Sequence, residues 1–182
     1  MHPLFNRTTF INDIALLKLS SPVTFTPRIS PVCLAPSNAR IVPGTRCFTT
    51  GWGQTAHTSK SAVKQKENNN TYVYCVMCHD FFYLLASPLI LQQTGVPIIS
   101  LAVCRQLWDQ STITDAMICA GASGSSSCQG DTGGPLVCET SGVWTLVGSV
   151  SQERSTCDPR LPAVFTNISQ LRSWIDRTIA FN

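Results

Sequence analysis

The 182-residue chain is 43% hydrophobic and only 13% charged, with a formal net charge of +3 and no run of basic residues. That composition excludes a disordered chain and a nucleic-acid-coating surface, and it fits a packed globular protein of about one domain. Nine cysteines point to a disulfide framework in an oxidising compartment, and their odd number leaves at least one thiol unpaired within the chain.

The first residues, "MHPLFNRTTFIND", lack the basic start, apolar core and small-residue cleavage site of a signal peptide. "DIALLKL", from Asp13, is mostly apolar and predicts a buried strand. The proline-rich "PVTFTPRISPVCLAPSNARIVPG" predicts an extended connector. "CFTTGWG", "WTLVGSV" and "AVFTNI" are β-branched or aromatic runs bounded by turn residues and predict strands of an all-β barrel or sandwich. "ISLAVCRQLW" predicts a short helix. A final helix is predicted from the spacing of Leu171, Trp174, Ile175, Thr178 and Ile179, with Ser169 as its N-cap.

Residues of about 60 to 90 differ from the rest. They are first polar and Asn-rich, then abruptly aromatic, without barrel-like rhythm; a misassembled reading frame would give such a stretch. The apolar run "FFYLLASPLIL" is about 11 residues long and contains Pro88, against the roughly 20 that a spanning helix needs, so no membrane association is expected. Cys75 and Cys78, beside His79, have the spacing of half a zinc site or a redox pair, but no second ligand pair accompanies them, and no metal is expected. Asn-x-Ser/Thr triplets stand at Asn6, Asn69 and Asn167 and matter only in the secretory pathway.

Five segments carry a resemblance. "GDTGGPLVC" resembles the Gly-Asp-Ser-Gly-Gly-Pro nucleophile loop of the chymotrypsin/trypsin family of serine proteases, with Thr132 in place of serine. "NDIALLKL" resembles the segment bearing that family's catalytic aspartate, here Asp13. "TTGWG", "DAMICAG" and "WTLVGSVS" match further stretches in the same order. The resemblance implies an all-β fold of two antiparallel β-barrels, here incomplete, closed by a C-terminal helix. It divides the chain into the end of the first barrel (1–30), a connector (31–43) and the second barrel (44–182). The second barrel would hold the atypical insert at about 60–90 and the helix at about 169–180.

The implied chemistry is peptide hydrolysis through an acyl-enzyme, without a cofactor, on peptide or protein substrates, with protease inhibitors as further partners and a secreted location. The oxyanion hole would come from the backbone N–H groups of Gly130 and Thr132. Asp131 matches the acid that pairs with a new N-terminus on zymogen activation; it is expected to lack a partner here, leaving the hole poorly formed. Ser126 would form the floor of the specificity pocket, and its neutrality fits a chymotrypsin-like apolar preference. Ser151, Gln152, Glu153 and Ala163 would form the walls. Glu153, where the family has glycine, either blocks the pocket or turns outward. The implied disulfides are Cys47–Cys138, Cys104–Cys119 and Cys128–Cys157, while Cys33 matches a cysteine that tethers a propeptide.

The family's mechanism also needs a histidine base upstream of the aspartate. His2, His57 and His79 all fall in segments that do not match it, so the base is expected to be missing. The β-methyl of Thr132 restricts the hydroxyl, and without an adjacent base the expected activity of the chain is nil. The alternative from another class is a non-catalytic homologue that binds proteins through the same cleft.

Overall fold

The computed structural model describes residues 1–54, 88–108, 112–153 and 156–181. His57, Asn69, Cys75, Cys78 and His79 lie outside them. The described residues form seven strands: β1 (Cys33–Leu34), β2 (Arg46–Gly51), β3 (Gln92–Ile99), β4 (Met117–Gly121), β5 (Pro135–Thr140), β6 (Val143–Gln152) and β7 (Pro162–Asn167). The described residues also form two helices, α1 (Leu101–Leu107) and α2 (Ile168–Ala180).

The strand order is β1-β6-β5-β2-β3-β4-β7, and β7 also pairs with β6. That last pairing closes β2 to β7 into an antiparallel barrel, which leaves those six strands no open edge. β1 adds outside the closure, parallel to β6, with Cys33 opposite Thr145. The β5–β6 register shifts at Leu136/Val137 and the β6–β7 register at Val150/Gln152. Such bulges bend the long β6 around the barrel.

Period-two patterning explains which residues face inward. On β2, Cys47 and Thr49 are buried while Arg46 is exposed; on β5, Leu136 and Cys138 are buried while Pro135 and Val137 are half-buried and Glu139 is exposed. β4 breaks the alternation, since all five of its residues are buried. The reason is a second apolar layer. Ile118 and Ala120 join the barrel core with Leu136, Val150 and Phe165. Met117 and Cys119 face the other way, into a cluster with Cys104 and Val164. Each fully buried Leu or Phe there contributes about 1.5–3 kcal/mol.

Two sequence expectations need correction. "DIALLKL" forms no strand. Ile14 and Leu16 pack on the barrel core, but Leu17 is 90% and Leu19 63% exposed. No described strand pairs with this segment, so only one side of it finds an apolar surface. The N-cap of α2 is Asn167, not Ser169: the Asn167 Oδ1 accepts from the Ser169 N–H at 3.1 Å and from its hydroxyl at 2.8 Å. Within α2, Leu171 and Ile175 are buried and Trp174 packs on the core, whereas Ile179 is exposed.

Candidate active site and specificity pocket

The candidate residues come together where loops leave the barrel strands. Loop 122–134 runs from β4 to β5 and carries Ser126, Gly130, Asp131 and Thr132. Glu153 follows the end of β6, and Ala163 lies on β7, buried and paired with Ala120. Three disulfides join Cys47 to Cys138, Cys104 to Cys119 and Cys128 to Cys157, the pairs that the resemblance implies. The first ties β2 to β5, the second ties α1 to β4, and the third ties the pocket loop to the segment before β7. Cys33 is exposed and outside these bridges.

Asp13 reaches the barrel from the N-terminal segment. Its Oδ2 accepts from the Ser151 hydroxyl at 2.6 Å, and its carbonyl accepts from the Thr166 hydroxyl at 2.8 Å. Ser151 is therefore a support for Asp13 as well as a wall residue, a role that the sequence reading did not assign. His2, the one histidine among the described residues, is turned elsewhere. Its ring packs against Trp174 of α2, tilted by 51° with centroids 4.8 Å apart, and its Nδ1 accepts from the Leu4 N–H at 3.1 Å.

Thr132 stands exposed in a loop made of two successive turns. The Asp131 N–H donates to the Cys128 carbonyl at 2.9 Å, and the Gly134 N–H donates to the Asp131 carbonyl at 2.8 Å. Gly130 adopts φ +97°, a conformation that side chains rarely take, and this lets the loop reverse just before Asp131. Among the described residues, the N–H groups of Gly130 and Thr132 meet no acceptor, and both residues are exposed.

Asp131 departs from expectation. It does have partners: its Oδ1 accepts from the Gly53 N–H at 2.7 Å and its Oδ2 from the Cys128 N–H at 3.0 Å. The carboxylate is clamped against β2 and the turn that follows it. A side chain on Gly51 or Gly53 would collide with it, which explains the glycines of "TTGWG". In the sequence these glycines stand out only as part of a matching stretch, since a contact 78 residues away leaves no local signal.

Beside Asp131 lies a cavity of about 540 Å³, lined among others by Thr49, Gln92, Ser126, Ser127 and Cys157. Ser126 is thus on the cavity wall. Thr49 and Ser127 are more than nine-tenths buried, and the Thr49 hydroxyl has no hydrogen-bond partner among the described residues. Glu153 is half-buried and turned inward: its Oε1 is buried without a partner, as is the Nε2 of Gln152. Burial first, and then the nearby Asp131 charge, push the Glu153 carboxyl up to about 8, offset in part by the Ser127 hydroxyl.

A family model described as Trypsin matches residues 1–81 and 81–175. The break between the two matches falls inside the stretch that the sequence sets apart. With nearly the whole chain matched on a closed antiparallel barrel, the chain belongs to the trypsin family of serine proteases.

Proposed function

We propose that these residues form the recognition half of a chymotrypsin-type endopeptidase site, and that the 182-residue chain by itself does not turn substrate over. The observation that carries this reading is the state of Asp13. Its carboxylate is held by Ser151, as an orienting acid needs, while the described histidine packs its ring against Trp174 and makes no hydrogen bond to that carboxylate.

In peptide hydrolysis of this type a hydroxyl attacks the carbonyl carbon, a histidine takes the hydroxyl proton and passes it to the leaving amine, and a carboxylate orients the histidine. Thr132 supplies a hydroxyl on an exposed loop, and the Gly130 and Thr132 amides supply donors for the oxyanion. The orienting acid, the hydroxyl and the donors are thus represented, and among the described residues the base is not. Removing the base from such a site costs on the order of a millionfold in turnover. The Thr132 methyl adds a steric cost by narrowing the approach to the hydroxyl.

The family and the three disulfides support an extracellular setting, with peptides, protein substrates or inhibitors as partners. A second reading, a protein-binding homologue without catalysis, is favoured by the inward Glu153 at a position where the family keeps an open wall. Incubation of the purified chain with fluorogenic peptides bearing aromatic, aliphatic or basic residues before the scissile bond tests the proposal. No hydrolysis above buffer is expected. Hydrolysis that a phosphonate inhibitor blocks would overturn it.

A further inference from the structure

The Asn-x-Ser/Thr triplets at Asn6 and Asn167 play no part in the acyl-transfer site, and the fold treats them in opposite ways. Asn6 is exposed, as are Arg7 and Thr8, which complete its triplet. Its Oδ1 accepts from the Thr8 N–H at 2.8 Å and from the Thr9 N–H at 3.0 Å, the bonding of an Asx turn. The amide nitrogen Nδ2 makes no hydrogen bond among the described residues and is left to solvent. The backbone of Asn6 is anchored separately: its N–H donates to the Ile11 carbonyl at 3.1 Å, and its carbonyl accepts from the Phe10 N–H at 2.8 Å. A group attached to Nδ2 therefore leaves a fixed loop for water without breaking a hydrogen bond of the fold.

Asn167 is the reverse case. It is half-buried at the start of α2, its N–H donates to the Ala116 carbonyl at 2.9 Å, and its Oδ1 caps the helix through the Ser169 N–H. Ser169 is only 4% exposed, and its hydroxyl is spent on Asn167 itself at 2.8 Å. Both residues line a cavity with Ile98, Met117 and Val147. A sugar on Asn167 would have to fit among these walls or draw the cap out of the helix.

We propose that Asn6 is the acceptor of an N-linked oligosaccharide and that Asn167 stays bare in the folded protein. The inference rests on the extracellular reading, because the transfer takes place in the secretory pathway. The donor is an oligosaccharide carried on a polyprenyl diphosphate. The Asn6 Nδ2 bonds to the anomeric carbon of the first sugar, and the bond from that carbon to the diphosphate oxygen breaks. The polyprenyl diphosphate leaves with the electron pair, one amide proton passes to a base of the transferase, and nothing is oxidised or reduced. Aromatic surface stands ready for the first sugar. Phe5 precedes Asn6, and Phe10, 37% exposed, meets Phe5 edge-on with centroids 6.5 Å apart. Sugar C–H groups pack on the faces of such rings, where the charge distribution is negative.

Site-resolved mapping tests this. The full 182-residue chain is produced in cultured eukaryotic cells behind an added, cleavable leader, and medium and cell lysate are digested and mapped by mass spectrometry. Peptide N-glycosidase marks each glycosylated Asn by converting it to Asp. The expected result is a glycan on Asn6 in most secreted molecules and on Asn167 in few. Thr8→Ala keeps Asn6 and the N–H that its turn needs, and it should abolish the Asn6 glycan, whereas Thr8→Ser should retain it. A bare Asn6 in a secreted chain whose Cys47–Cys138 bridge is formed overturns the acceptor site and leaves the extracellular reading standing. A bare Asn6 in a chain retained in the cell with those cysteines reduced overturns both. Asn167 occupied as fully as Asn6 in the secreted chain overturns the protection argued from the helix cap. Occupancy is read on peptides, so a variant that does not fold still reports whether residue 6 was an acceptor.

Discussion

Asp13 and Ser151 are 138 positions apart and meet at 2.6 Å. A carboxylate that accepts a short hydroxyl hydrogen bond is held in one orientation, and removing the donor leaves it half-satisfied. Ser151→Ala is therefore expected to lower stability by about 1–3 kcal/mol, read from the urea midpoint at constant m-value. Glu153 makes a prediction of opposite character. Its carboxyl titrates near 8 in the folded chain, above its ordinary value of 4.5, because burial and Asp131 disfavour the charge. The unfolded chain thus gives up this proton first. The Glu153 contribution is greatest below about pH 4.5, falls as pH rises, and levels off beyond about 8. Melting temperatures of the wild type and Glu153→Gln, measured from pH 5 to 9, should diverge, with the variant losing less as pH rises. Parallel curves would contradict the buried carboxyl.

The elements around the site depend on contacts that cross from strand to strand. Gly53 lies in the turn after β2, and its N–H and missing side chain together make room for Asp131. Gly53→Ala forces a collision with the carboxylate and should cost about 2–4 kcal/mol, visible as a lower denaturant midpoint and faster proteolysis of loop 122–134. The same scale shows what could be read in advance. β2, β6 and β7 announce themselves through β-branched and aromatic runs, and α2 through helical spacing, so their existence is legible. β3 is not: "QQTGVPII" contains a glycine and a proline, and its strand is imposed by pairing with β2 on one side and β4 on the other. The N-cap of α2 was misplaced by two residues because Asn167 and Ser169 both suit the role. Only the geometry shows Asn167 accepting from Ser169. For the site, loop residues 130–134 were legible as a motif, but the partners of Asp131 and the inward turn of Glu153 were not, since both depend on long-range packing.

At the scale of the whole molecule, the barrel buries its own core but the N-terminal segment does not bury its second face. Leu17 is 90%, Phe25 66% and Ile29 50% exposed. An exposed apolar strip of this kind promotes association. Replacing Leu17 and Phe25 by lysine is expected to raise the monomer fraction in size-exclusion chromatography and to leave the melting temperature within about 2 °C, since neither side chain contributes to the core. The proposal of an inactive site also belongs to this scale: a trypsin-family barrel carries an acid, a hydroxyl and a pocket, and among the described residues no histidine is bonded to the acid to activate the hydroxyl. Intact-mass analysis after incubation with a fluorophosphonate, on the wild type and on T132S side by side, tests it most directly. The account predicts no adduct on either protein, because the proposed site holds no base to activate residue 132 whether it is threonine or serine. A stoichiometric adduct mapped to residue 132 in either protein would contradict it.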